Sequence, residues 1–166
     1  MAIDIHDQAA VQTRLWDELE KHPIGMLGLV AAEPHHFQPM TAFLDRPESQ
    51  LWFFTYKDTE LADAVATGAS AMFVVQRDKD LYACIGGSLR QDHDATRMDR
   101  YWNSVVAAWY PEGKDDPRLT LLRLDCADAE VWIQSAGPTK FAWEIAKANA
   151  TRNEPELGGR TSLNFH

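Results

Sequence analysis

The feature that most narrows the fold is a run of strand-like segments between residues 24 and 90, interrupted by a single helix-like stretch. Residues 24–31 read as a buried strand whose glycines, Gly25 and Gly28, mark a close backbone approach or a bulge. Glu33-Pro34-His35-His36 is a turn, and residues 37–45 a second strand. After the turn Asp45-Arg46-Pro47-Glu48-Ser49, residues 51–56 form the strongest strand signal, Leu-Trp-Phe-Phe-Thr-Tyr. A short helix follows directly. Asp58 or Thr59 can cap it, Leu61, Ala62 and Val65 form its inner stripe, and Gly68 closes it. Residues 71–76 and 81–90 are the fourth and fifth strands. Strands in succession with one inserted helix do not make βαβ units, so a small barrel is favoured over a doubly wound sheet.

The flanks are helical. In residues 7–21, Val11, Leu15 and Leu19 recur every four positions, and Pro23 ends the segment. Residues 94–108 carry Met98, Tyr101, Trp102 and Val105 on one face. Residues 119–124 and 129–133 make one long strand or two, because Asp125-Cys126-Ala127-Asp128 can interrupt them. Pro138 opens a last helix, 139–149, with Phe141, Ile145 and Ala148 expected inward. This organisation predicts one domain over 1–150, with its barrel at 24–134 and a mobile polar tail at 151–166.

Charge and cysteine usage exclude several functions. The 166 residues carry a net charge of −9, and both halves are acidic, which argues against nucleic acid or an anionic membrane as partner. No basic and apolar leader is visible at the start, and only two cysteines are present, so a reduced, cytoplasmic protein is expected.

The best chemical signal is Phe54-Thr55-Tyr56-Lys57-Asp58-Thr59, where a strand passes into a helix. Hydroxyls, a Lys charge and free N–H groups at a helix start suit a phosphate. The same residues also describe a capped helix with a solvent-facing Lys, the reading that spacing alone favours. His35-His36 and the isolated histidines show no ligand spacing, so no metal site is expected. No nucleophile elbow, dinucleotide fingerprint or phosphate-binding loop occurs, so any redox chemistry would come from a cofactor. At 107–117, Trp109-Tyr110 runs straight into a Pro/Gly turn. Trp109 either finishes a helix against the core or walls a flat ligand or a subunit interface.

Taken in order, Gly25-Met26-Leu27-Gly28-Leu29-Val30, Gln38-Pro39-Met40-Thr41, the stretch from Leu51 to Thr59, Leu81-Tyr82-Ala83-Cys84-Ile85-Gly86-Gly87 and the segment from Ala108 to Pro117 resemble a known family. They are similar to the flavin-binding split-barrel proteins related to pyridoxamine 5′-phosphate oxidase, most closely the bacterial general stress protein branch. The resemblance covers roughly residues 10–135. It implies a mainly β, six-stranded split barrel with flanking helices, dimerising so that flavin mononucleotide (FMN) lies between the subunits. It implies that Pro39, Met40 and Thr41 run beside the isoalloxazine, with Gln38 before them. It implies that Phe54, Thr55 and Lys57, with Thr59, lie near the ribityl chain and phosphate. The Trp109 loop, with Lys114, would approach from the partner subunit.

Two positions depart from the family pattern. Gln38 stands where a basic residue is usual, and Leu61 where a Lys is usual. Two charge-assisted phosphate contacts, each worth roughly 1.5–3 kcal/mol, are thereby missing. Lys57 and the helix start, with Lys114 or Arg118 from the partner subunit, are the groups left to compensate; the alternative is a larger flavin, FAD. The implied function is a flavin-binding protein of the general stress type, a candidate oxidoreductase that would move hydride between a nicotinamide cofactor and a small molecule. A non-catalytic flavin carrier or sensor, or a protein that has lost flavin and acts through protein contacts, is the alternative. Pyridoxamine phosphate oxidation itself is disfavoured, because Arg152 and Arg160 are isolated in the C-terminal stretch.

Overall fold

The computed structural model describes residues 3–30, 36–134 and 137–166. Most of the turn expected at Glu33-Pro34-His35-His36 lies outside them, as does Ala31 at the end of the first expected strand.

Helix α1 (Gln8–Lys21) starts where the Asp7 carboxylate accepts from the Ala10 N–H, and it buries Val11, Leu15, Trp16 and Leu19. It stops at His22 because the residue before a proline is pushed out of the helical region. Strand β1 (Ile24–Leu29) follows. The single strand expected at 37–45 divides at the buried Ala42 into β2 (Gln38–Thr41) and β3 (Phe43–Asp45). Strand β2 pairs with β1, whereas β3 pairs with β4 (Gln50–Tyr56). The two ends of the sheet therefore belong to one stretch of chain, and the Ala42 N–H donates to the Pro23 carbonyl where they meet. That connection curls the sheet on itself.

Helix α2 (Glu60–Ala64), β5 (Ala69–Arg77) and β6 (Leu81–Gln91) come next, followed by α3 (Ala95–Tyr101) and α4 (Ser104–Trp109). The one helix expected over 94–108 is two. Trp102 is extended, and the Asn103 side chain caps the second helix by accepting from the Val106 N–H, a bond that competes with continuation of the first. Strand β7 (Leu119–Gln134) runs unbroken through Asp125-Cys126-Ala127-Asp128. A register shift between Gly86 and Gly87 absorbs the extra residue, and only glycine fits there: a Cβ on Gly87 would lie 2.1 Å from the Asp125 carbonyl oxygen. Helix α5 (Pro138–Thr151) and β8 (Gly158–Asn164) complete the chain.

The antiparallel sheet has the order β2-β1-β5-β6-β7-β4-β3, with β8 added on β7. Its eight strands are the six expected, plus the division at Ala42 and the C-terminal strand. That last strand corrects the expectation of a mobile tail over its length. Residues 158–164 pair with 128–134, Leu163 enters the core at 2% exposure, and Phe165 packs 5.7 Å from Trp16. Local polarity concealed the docking because one leucine and one phenylalanine carry it.

Two apolar clusters hold the fold. The larger fills the curl of the sheet beneath α1. The smaller lies outside it, where Trp52, Phe54, Leu119 and Leu121 meet Met98, Tyr101 and Val106 of α3 and α4. Those two helices roof only one part of the outer surface. Over β1, β5, β6 and the far end of β7 the outward residues Ile24, Met26, Met72, Val74, Tyr82 and Trp132 remain exposed. Helix α5 also departs from expectation. Phe141 and Ile145 stay 43% and 37% exposed, and Glu144 is its buried residue, accepting from the Glu156 N–H at 3.0 Å. The amphipathic stripe is present, but the described residues leave much of it uncovered.

Candidate functional site

The end of β4 and the cap of α2 form a small polar shelf. Thr55 is buried, and its hydroxyl oxygen is 3.3 Å from that of Thr59. Thr59 is the N-cap: its hydroxyl accepts from the Ala62 N–H and donates to the Tyr56 carbonyl. Its own hydrogen is therefore committed, so Thr55 is the donor in the 3.3 Å contact and would serve a ligand by turning that hydrogen away from Thr59. Lys57 is exposed, and its backbone N–H donates to the Arg118 carbonyl at 2.7 Å. Of the two capping candidates, Asp58 and Thr59, the structure selects Thr59.

Arg118 is brought to this shelf by the chain itself. Its guanidinium stacks 4.8 Å from the Tyr56 ring and makes a forked ion pair with Asp116, with Nη2 at 3.0 Å from Oδ2 and Nε at 3.3 Å from Oδ1. That pairing holds the Asp116 carboxyl below its usual range. Two cations, Lys57 and Arg118, stand against two carboxylates, Asp58 and Asp116, so the shelf is close to neutral before any ligand arrives. The donor set of hydroxyl, ammonium and guanidinium still fits a phosphate, and a phosphate would meet Lys57 without displacing an ion pair.

Aromatic residues back the shelf. Tyr110, just past α4, donates its hydroxyl to the Phe54 carbonyl at 2.9 Å and meets Tyr56 edge-on at 5.0 Å. Burial, with a smaller effect from Tyr56, pushes its phenol up to about 12. Phe54 lies between Phe43, Trp102 and Tyr110. The other aromatic of the pair, Trp109, is the last residue of α4 and is 76% exposed. Thus Tyr110 takes the packing role, and Trp109 is left facing outward.

The remaining expected residues fall into two places. Gln38, Pro39, Met40 and Thr41 form β2, which among the described residues has a strand partner only on its β1 side and also approaches β4. Its other edge is open to a ligand, although Pro39 brings no N–H. Lys114 is not at the shelf in its own protomer: it pairs with Asp99 of α3 at 3.1 Å on the surface. The protomer thus brings together Phe54, Thr55, Lys57 and Thr59, sets β2 near them, and leaves Trp109 and Lys114 pointing elsewhere. Tyr110 and the same-chain placement of Arg118 were not read from the sequence. The clue was the Tyr110-Pro111 turn, which sends the chain back to pair Leu119 with Tyr56.

Among the described residues no cluster of His, Cys, Asp or Glu could hold a metal ion, and no helix is long and apolar enough to cross a membrane. Both cysteines are free, and burial raises the Cys126 thiol to about 12.

Comparison with known proteins agrees with this architecture. The pattern of the "Pyridoxamine 5′-phosphate oxidase like" family matches residues 10–156. General stress protein 26 of Bacillus subtilis is 26% identical over 135 residues, covering 79% of this chain and 93% of that protein. A crystal structure of a general stress protein 26 from Jannaschia sp. CCS1 superposes with a TM-score of 0.74 at 35% identity, covering 94% of this chain and 99% of that one. The general stress FMN/FAD binding protein of Xanthomonas citri gives a TM-score of 0.72 at 40% identity, covering 78% and 92%. The curled sheet with flanking helices is accordingly the split barrel of these proteins, and the chain belongs to the pyridoxamine 5′-phosphate oxidase-like family.

Proposed function

We propose that this protein binds a flavin, FMN or FAD, with the phosphate on the β4–α2 shelf and the ring system along β2, in a homodimer whose subunit groove completes the site. The observation that carries this reading is the convergence of Thr55, Lys57 and Arg118 beside the aromatic wall of Tyr56 and Tyr110. The Xanthomonas citri protein, named for binding FMN and FAD, supports it at 40% identity. Arg118 in cis, already paired with Asp116, brings a guanidinium to the shelf but little net charge to replace those lost at Gln38 and Leu61. The bare apolar outer face of β1, β5 and β6 supports the dimer.

Bound flavin would supply hydride transfer between a nicotinamide cofactor and a small molecule. The chain's own part is to bind and orient. Thr55 and Lys57 fix the phosphate end, Tyr110 braces the Phe54 backbone, and the open edge of β2 offers backbone groups to the ring. A carrier or sensor role is the second reading, and a specific observation favours it. Gln38 and Leu61 stand where the family pattern has basic phosphate contacts, which leaves fewer charges to hold a flavin.

The test is titration of the purified protein with FMN, FAD and riboflavin, followed by flavin absorbance and fluorescence. Saturable binding in the micromolar range is expected, with FMN tighter than riboflavin. No binding by any of the three at high micromolar concentration overturns the reading. Rapid reduction of bound flavin by a nicotinamide cofactor supports the enzyme, and its absence supports the carrier.

A further inference from the structure

A groove of about 640 Å³ opens on the outer face of β6, β7 and β8. Its apolar part is Met72, Cys84 and Trp132, and Asp128 and Glu130 make one side acidic. Glu130 receives the Ser162 hydroxyl on one carboxylate oxygen, while the other, Oε2, is buried without a hydrogen-bond partner and has Arg160 Nε only at 3.5 Å. The Glu130 side chain is 40% exposed and paired with Arg160, so it contributes negative charge to this side of the groove.

Helix α5 is the complementary element. It leaves the end of β7 and returns at the start of β8, where Gln134 pairs with Gly158, so the 23 residues between them form an excursion from the groove's own rim. The Glu144 bond to the Glu156 N–H ties its return, the Lys147–Glu144 pair at 3.3 Å lies within the helix, and Phe141 and Ile145 remain exposed. The helix carries Lys140 and Lys147 against one Glu, a positive element in a chain of net charge −9. At about 1.5 Å per residue its 14 residues span roughly 21 Å, enough to cross to another molecule.

We infer that α5 is an exchanged arm: in the dimer proposed above, on which this inference rests, α5 of each copy seats in the groove of the other. Phe141 and Ile145 pack on Met72 and Trp132, and Lys140 meets the acidic side at Asp128 and Glu130. A second copy is the occupant that the numbers favour. The protomer exposes 10043 Å², whereas a compact monomer of its mass, 18.8 kDa, exposes roughly 8,300 Å². The excess is well above the roughly 800 Å² per partner of an ordinary stable interface. Two-fold exchange also repeats both contacts and closes the assembly. It sets positive arms on acidic grooves, which offsets repulsion between two like-charged chains.

Sedimentation velocity on the full chain tests this, with Phe141→Glu, Ile145→Glu, Lys140→Glu and the double variant Lys140→Glu/Asp128→Lys. The two apolar-face variants are expected to weaken dimerisation at least tenfold with unchanged circular dichroism, and Lys140→Glu about threefold, recovered in the double variant. In parallel, Ile145→Cys is oxidised with copper phenanthroline. A covalent dimer that disappears in the Cys84→Ser background is expected. A dimeric wild type that the α5 variants leave unchanged and that gives no Cys84-dependent cross-link overturns the exchange and leaves the dimer standing. A wild type that is monomeric at high micromolar concentration overturns both.

Discussion

Lys57 gives the sharpest test of the shelf. It is exposed and its local field is almost cancelled by neighbouring carboxylates, so its effect on a ligand comes from direct contact rather than from a broad positive potential. Two unit charges about 4 Å apart interact by about 1 kcal/mol in water and about 4 kcal/mol at a protein-like effective dielectric. An exposed ammonium belongs near the lower figure. Against a phosphate carrying close to two negative charges, Lys57→Ala should therefore cost about 2 kcal/mol, or about thirtyfold in FMN affinity. Riboflavin has the same ring and ribityl chain without the phosphate, and its affinity should change less than about twofold. The assay is fluorescence titration of wild type and variant with both flavins. Raising the ionic strength from about 0.1 M to about 1 M shortens the screening length from about 10 Å to about 3 Å, so the wild-type preference for FMN should shrink. Equal losses for FMN and riboflavin in Lys57→Ala would refute the placement of the phosphate beside Lys57.

Three further perturbations follow from the same geometry. Arg118→Ala removes the pairing that holds the Asp116 carboxyl low. A carboxyl whose folded value is depressed contributes stability above its unfolded value and loses it as pH falls through the folded one, so the variant should be less stable than the wild type near neutral pH, with the difference closing as pH falls through the folded value. Coincident curves of stability against pH would contradict this. Leu163→Ala should cost about 2–4 kcal/mol in urea unfolding, because the leucine is buried at 2% exposure; a loss below about 1 kcal/mol would show that β8 does not dock. Gly87→Ala drives a Cβ against the Asp125 backbone, 2.1 Å away, and should destabilise by several kcal/mol. An unchanged melting temperature would refute the bulge.

What the sequence determined by itself was local and periodic. Helix α1 was legible from the four-residue recurrence of Val11, Leu15 and Leu19, and strand β4 from its run of β-formers. The order of strands with one inserted helix excluded βαβ topology, and Thr55-Lys57-Thr59 was visible because all three sit within five residues. The tertiary structure decided whatever depends on residues far apart in the chain. Ala42 divides a strand because β1 and β4 both need a partner there. Arg118 joins Lys57 because β7 pairs with β4, a contact no local window contains. Residues 158–164 look like a polar tail until Leu163 and Phe165 find the core and Trp16. The stripe on α5 was correctly read as apolar but wrongly placed inward. Periodicity reports that a face needs cover, and only the assembled chain shows which surfaces are left to provide it.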